Sequence, residues 1–227
     1  MTFNFNKLLQ NNWFAISFKK NLDYNLHPEK ISEETSAKFL LETLKIIAIF
    51  LTLYTAVNLL FSLLNLDYLT QYGGVMKKFY QEGKISWPLY VMNVFPYSIL
   101  FLAVFFLMLQ LISTSISYGA MWILGEPTRS FPKLLGIYFS SSLYILLSLF
   151  PVLVLFQLIS KSTQEDFYKM IFFIGLNAAV LLIGIVLQSF FFIKMCKNAF
   201  NQNVGRAILT WLSPLLLLSL LVISSFN

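Results

Sequence analysis

Residues 46–66 read IIAIFLTLYTAVNLLFSLLNL and contain no charged side chain. A helix needs about 20 apolar residues to cross the hydrocarbon core of a bilayer. Glu42 and Lys45 lie within one turn of the start of this run, where long polar side chains can reach the membrane interface. The stretch therefore predicts a membrane span over residues 42–66, and it indicates a chain built for lipid rather than for water.

Four further apolar stretches follow the first, and each is long enough to cross a bilayer. They predict spans over residues 91–124, 133–159, 170–193 and 207–225. The second of them is too long for a simple crossing, so we expect it to tilt or to emerge from the bilayer as helix. The expected fold is an all-α polytopic membrane protein with about five spans: an N-terminal segment of residues 1–38 and a five-helix domain of residues 39–227.

The connections between these spans contain residues that typically end or cap helices. Gly125 is placed as the residue that ends the second spanning helix, and Pro127 cannot continue it. Ser130 is a candidate cap for the next helix. The longest hydrophilic connection, 67–90, contains Gly73-Gly74, which we interpret as a turn because no Lys-Ser/Thr pair follows to make a phosphate-binding loop.

Composition excludes a soluble domain and several kinds of site. Of 227 residues, 58% are apolar or aromatic and only 11% are charged, with a mean hydropathy of +0.73. Soluble domains carry about 25% charged residues. The net charge of +6 comes from lysines beside the spans, which favours topology determination over nucleic-acid binding. One cysteine and one histidine cannot form a disulfide framework or a structural zinc site, and no cofactor is expected.

Lysine and arginine positions predict the orientation. The N-terminal side, the second connection and the fourth connection carry eleven of these residues, against five on the first and third connections and none at the C-terminus. Because positive residues are enriched on the cytoplasmic side, the N-terminus is expected in the cytoplasm and the C-terminus outside. The N-terminal segment itself, with a helix expected over 3–18 and Trp13 near Lys19 and Lys20, suits either an interfacial helix or a tail folded against the bundle.

The predicted spans carry no charged residue near their middle, and this limits the transport and catalytic functions that the chain can have. Ion-coupled transporters and pumps usually place ionisable residues at that depth. The serine triplet 140–142 lacks a nearby base and is assigned to packing, so an enzyme is not expected. Amides offer interhelical hydrogen bonds instead, and Pro151 and Pro214 predict kinks. The amides are Asn58, Gln110, Gln157, Asn177 and Gln188.

Small residues spaced four apart predict places where helices approach closely. Each pair would lie on one face of a spanning helix. The pairs are Ser113 with Ser117, Gly136 with Ser140, and Gly175 with Ala179.

Two stretches carry a resemblance to a known family. One is residues 123–135, ILGEPTRSFPKLL, followed by tyrosines, the serine triplet and Pro151. The other is residues 194–207, KMCKNAFNQNVGRA, ahead of the Leu-rich stretch around Pro214. With five spans and this orientation, they resemble the Yip family of Ypt/Rab-interacting membrane proteins. The resemblance implies a five-helix bundle and, in eukaryotic members, a role in membrane traffic through small GTPases and other family members.

The chain departs from the trafficking type in two respects. Its N-terminal region is short and lacks an acidic or proline-rich extension, and Leu187-Gln188-Ser189 stands where a tryptophan is more usual. These departures weigh against a small GTPase partner and favour the bacterial-type member, whose relatives share the domain without an established activity. Lysine-rich, arginine-poor usage agrees with a bacterial host, so the inner membrane is the expected location.

Two functions stay open from the sequence. The first is a non-enzymatic scaffold or partner of other membrane proteins, which include further copies of this chain. Its candidate contact residues, which also suit topology determination alone, are Arg129, Lys133, Lys194, Lys197 and Arg206. The second is a transporter or channel subunit with a polar path along Asn177 and Gln188 and kinks at the two prolines. An enzyme acting on lipids has the least support, because acid–base residues are scarce.

Overall fold

The computed structural model describes residues 12–158 and 166–225, and these residues form nine α-helices and no strand. The all-α class expected from the sequence is confirmed. The helices are α1 Trp13–Leu26, α2 Glu29–Glu33, α3 Ser36–Leu64, α4 Leu66–Gln81, α5 Trp87–Asn93, α6 Tyr97–Ile123, α7 Phe131–Leu158, α8 Phe167–Ala199 and α9 Val204–Ser225.

Four of these helices are long and apolar enough to cross a membrane: α3, α6, α7 (over Phe131–Leu155) and α8. A fifth apolar helix, α9, qualifies as a shorter one over Val204–Leu220. The chain is therefore a multi-pass integral membrane protein, as its hydropathy predicts.

The region before α6 differs from the continuous helix that was expected over residues 91–124. Helix α5 ends at Asn93, Val94 adopts an extended conformation, and α6 begins only after Pro96. Proline lacks an N–H donor and disfavours helical backbone at the residue before it, which gives the break its physical reason. The stretch is thus a short helix followed by a span, not one long helix.

The first connection is also more helical than expected. Gly73 and Gly74 lie inside α4, so their interpretation as a turn is wrong. The reversal comes at Gly83, whose φ of +69° is open to glycine. None of the residues in α4 is buried within the chain, so neighbouring elements hold it loosely.

Helix α7 lies at the centre of the bundle and packs mainly against α8 and α3. Two glycines allow the close approach. A Cβ at Gly136 would lie 2.7 Å from the Phe39 ring on α3, and a Cβ at Gly184 of α8 would lie 2.9 Å from the Cβ of Ser148 on α7. Gly136 with buried Ser140 confirms one predicted small-residue pair, whereas Gly175 has no neighbour within 4 Å and Ala179 is exposed. The Gly175 pair therefore makes no close helix contact with the described residues.

Helix α1 folds against the bundle and runs antiparallel to α3. The rings of Phe14 and Phe18 contact Phe50, whereas Tyr24 near the other end of α1 contacts Phe39. Of the two interpretations of the N-terminal segment, packing against the bundle is confirmed for α1. The helix extends to Leu26, so its expected end at residue 18 is wrong, and residues 3–11 lie outside the described part.

The turn between α6 and α7 has the predicted geometry. Gly125 has φ +70°, and its N–H donates to the Trp122 carbonyl while the next N–H donates to the Met121 carbonyl. This pair of bonds is the Schellman pattern that closes a helix. Ser130 Oγ accepts from the N–H of Lys133 at 3.4 Å, which confirms the predicted cap.

Candidate functional site

The N-terminal helices, the α6–α7 turn and the α8–α9 turn meet at one end of the bundle, which we call the basic end. Thr128 Oγ1 donates to the carbonyl of Phe200 at 2.8 Å, and Ser130 Oγ donates to Ser36 Oγ at 3.0 Å. Lys194 Nζ donates to the carbonyl of Leu26 at 2.8 Å. These bonds join four separate segments, so the basic end has a defined shape.

An ion pair between Glu126 and Arg206 adds to these connections. The two side chains meet at 3.3 Å, and the Glu126 side chain is 2% exposed while that of Arg206 is 47% exposed. A carboxylate buried to this degree needs a positive partner. Sequence reasoning took Arg206 as a contact residue and overlooked Glu126; the one available signal was an acid inside an otherwise basic turn.

The five predicted contact cations therefore divide into two groups. Lys194 and Arg206 hold the protein's own groups, a backbone carbonyl and a carboxylate. Within residues 12–158 and 166–225, Arg129 and Lys197 are exposed and Lys133 is half-buried, and none of the three forms an ion pair.

A second charged group lies where α1 meets the start of α3. Glu34 accepts a hydrogen bond of 2.6 Å from the Tyr24 hydroxyl and lies 3.3 Å from Lys38 and 3.9 Å from Lys20. Partial burial alone would raise the pKa of Glu34, but the Tyr24 hydrogen bond and the two lysines together lower it. The carboxylate thus anchors α1 in its ionised form.

Polar side chains inside the bundle join α6, α7 and α9. Ser117 Oγ donates to the carbonyl of Thr210 at 2.7 Å and lies 2.6 Å from the Tyr138 hydroxyl. Because the single hydroxyl hydrogen of Ser117 goes to that carbonyl, Tyr138 is the donor of the second bond. The predicted role of Ser117 in helix contact is confirmed, although hydrogen bonding rather than small size explains it.

The amides behave in two ways. Gln110 accepts from Ser142 Oγ at 2.9 Å, and Gln188 accepts from Trp211 Nε1 at 3.1 Å, so both pair between helices as expected. Asn58 and Asn177 instead donate to carbonyls one turn earlier in their own helices. The buried Asn177 Oδ1 has no partner among the described residues, and the Gln157 side chain lies outside them.

A cavity of about 220 Å³ lies between α6, α7, α8 and α9. Gln188 and Pro214 line it, which brings together two of the predicted residues. Asn177 and Pro151 are not among its lining residues, and Pro151 lies exposed within α7. The sequence analysis missed Trp211. Its indole N–H, a hydrogen-bond donor within the leucine-rich last predicted span, could have marked it.

The remaining lining residues carry no formal charge. They are Leu109, Gln110, Ser113, Tyr138, Ser142, Ile145, Ile185, Trp211 and Leu215. The cavity therefore suits uncharged groups. Comparison of the chain with protein-family models, with curated proteins and with solved structures finds no match.

Proposed function

We propose that the chain is a non-enzymatic integral membrane protein that acts as a scaffold for, or a partner of, other membrane proteins. We further propose that it is a bacterial-type member of the Yip family in the inner membrane, with the basic end in the cytoplasm. The observation that carries the contact role is that Arg129 and Lys197 are exposed and form no ion pair with the described residues, whereas neighbouring polar groups at the basic end bond to one another.

The two cations come from segments that are bonded to each other. Arg129 follows Thr128, whose hydroxyl donates to the carbonyl of Phe200, and Lys197 lies three residues before Phe200. The Lys197 carbonyl also accepts from the N–H of Gln202, which holds its backbone in the turn. An acidic segment of a partner can therefore pair with both cations without displacing an internal partner.

The test is a charge reversal at these two positions, Arg129→Glu with Lys197→Glu. We expect loss of the proteins that cross-link to the wild type in the membrane and co-purify with it in mild detergent. Lys194 and Arg206 are unsuitable, because changing them removes internal bonds.

The matched control is Lys77→Glu with Lys78→Glu, which changes the net charge equally in the first connection. Both variants must insert with wild-type topology, scored by labelling. An unchanged set of cross-linked partners in the Arg129/Lys197 variant would rule out the contact role.

A transporter subunit is the second candidate, and one observation favours it: Gln188 lines the cavity within the bundle. The test uses single cysteines at Ser113 and Gln188 in a Cys196→Ser background. Reaction with a membrane-impermeant thiol reagent applied from either side would support a water-filled path. Protection from both sides would contradict it.

A further inference from the structure

The side-chain amide of Gln188 uses its oxygen in a hydrogen bond to Trp211, while its nitrogen is not used in any described bond. The indole N–H of Trp211 can only donate, so the Gln188 oxygen must face it, at 3.1 Å. The amide nitrogen is thereby directed away from the indole, and it makes no hydrogen bond to another described residue. The residue as a whole is 7% exposed and lines the cavity, but its nitrogen is not among the fully buried unpartnered atoms of the described residues, so the N–H₂ group borders accessible space.

Gln110 repeats this arrangement on the facing side of the cavity. Its oxygen accepts from Ser142 Oγ, and its amide nitrogen makes no hydrogen bond to another residue in the described part of the chain. The residue is 5% exposed. An amide donor that meets only a cavity and lipid lacks the acceptor that bulk water would supply, so two such amides at one cavity favour a ligand that accepts hydrogen bonds.

The position of the cavity indicates which kind of molecule supplies the hydrogen-bond acceptor. Gln188 lies six residues before Lys194, which places it about 9 Å along the helix axis from the basic end, inside the spanning part of α8. Three of the lining side chains, Leu109, Ile185 and Leu215, are also exposed on the outside of the bundle. The opening of the cavity therefore faces lipid.

Volume and chemistry narrow the choice further. At about 220 Å³ the cavity is roughly seven times the ~30 Å³ that one water occupies in the liquid, so a single bridging water does not fill it. The lining has no cation to hold a phosphate and no carboxylate to hold an amine. Aliphatic and aromatic side chains make up most of the wall.

We propose that this cavity binds the acyl chain of an uncharged membrane lipid, with the ester carbonyl accepting hydrogen bonds from the amide nitrogens of Gln188 and Gln110. The apolar wall contacts the methylenes near the ester, and the rest of the chain leaves past Leu109 and Leu215. This site does not depend on the contact role of the basic end.

The test uses Trp211, which lines the cavity, as the reporter. Trp13, Trp87 and Trp122 are replaced by Phe, and the protein is placed in alkyl maltoside micelles, whose detergent has no ester carbonyl to compete for the cavity. Two quenchers are titrated: a dibrominated stearate methyl ester and a dibrominated alkane of the same chain length. We expect saturable quenching by the ester at about one-fifth of the concentration that the alkane needs, the effect of roughly one neutral hydrogen bond.

Gln188→Leu should reduce the preference for the ester and Gln188→Leu with Gln110→Leu should remove it, whereas Ser189→Ala, a neighbouring control that does not line the cavity, should keep it. Ser113→Leu fills the cavity without touching either amide, so it should reduce quenching by both probes. If the ester and the alkane give equal quenching curves in the protein with an unchanged cavity, the proposal is overturned. An ester preference that persists when both Gln188 and Gln110 are replaced by Leu would also overturn it.

Discussion

Helices α7 and α8 pack against each other along much of their length, yet they are opposite in character. In its most apolar 18-residue window α7 is 44% buried, whereas α8 is 11% buried in its own window although it is the more hydropathic helix. In water the more apolar helix would lie inside. In a bilayer lipid solvates apolar side chains as well as a neighbouring helix does, so polarity and small size select the central helix instead.

Helix α7 buries polar residues beside apolar ones such as Leu134, Ile137 and Leu146. Ser140, Ser141 and Ser142 are all buried, and they bond respectively to Asn25 of α1, to the backbone of α7 itself and to Gln110 of α6. Helix α8 offers one comparable strip, at Gly184 and Gln188, and exposes most other side chains. The packing of the bundle therefore depends on a few specific positions.

The largest effect is expected where α8 meets α7 most closely. A Cβ at Gly184 would lie 3.0 Å from the carbonyl oxygen of Tyr144, which cannot rotate away. Gly184→Leu should therefore destabilise the protein by about 3 kcal/mol, the upper part of the usual range for overpacking. Gly175→Leu, on the same helix with no neighbour within 4 Å, should change the unfolding free energy little. Denaturant unfolding in mixed micelles measures both, and equal losses would contradict the comparison.

The next effect concerns the two arginines of the basic end. Arg206→Gln leaves the buried Glu126 carboxylate without its cation and should cost about 2 kcal/mol. Arg129→Gln removes an exposed side chain with no ion pair in the described residues, and should stay within about 0.5 kcal/mol of wild type. Thermal unfolding in one detergent gives the two values. A larger loss from Arg129→Gln would reverse the assignment of their roles.

A smaller effect is expected inside the bundle. Ser117→Ala removes the bond to the Thr210 carbonyl and leaves the Tyr138 hydroxyl without its acceptor. The expected cost is about 1 kcal/mol, because hydrogen bonds between membrane helices are individually modest. Ser115→Ala, exposed on the same helix and bonded only to its own backbone, serves as the control. If both variants unfold like wild type, the Ser117 bonds contribute nothing net.

The smallest effect is a pH dependence at the start of α3. The pKa of Glu34 is lowered below its ordinary 4.5, so the stabilisation that its ionised form gives is present above that pH. It is lost as the pH falls through the lowered value. Glu34→Gln should melt below wild type at neutral pH, and the difference should shrink in acid. A difference in melting temperature that is constant across the titration would exclude this role of the carboxylate.

Helix ends, helix caps and long apolar helices could be predicted from the sequence, because each depends on residues that are close together in the sequence. The Gly125 helix end, the Ser130 cap and the long apolar runs are of this kind. Pro96 also indicated a helix break locally, but the continuous hydropathy of the surrounding stretch led to the prediction of one long helix. Small-residue spacing alone could not distinguish Gly136, which lies against Phe39, from Gly175, where an added Cβ would have no described atom within 4 Å.

By itself the sequence determined that this is an all-helical, multi-pass membrane protein, because apolar length and the absence of charge are sufficient to place a helix in lipid. Only the tertiary structure decided that α7 is the central helix, that Arg206 belongs to Glu126, and that Gln188 and Gln110 face one cavity. The physical reason is that a bilayer accepts every apolar face equally. Which faces meet is therefore decided by single hydrogen bonds and close approaches between residues far apart in the chain.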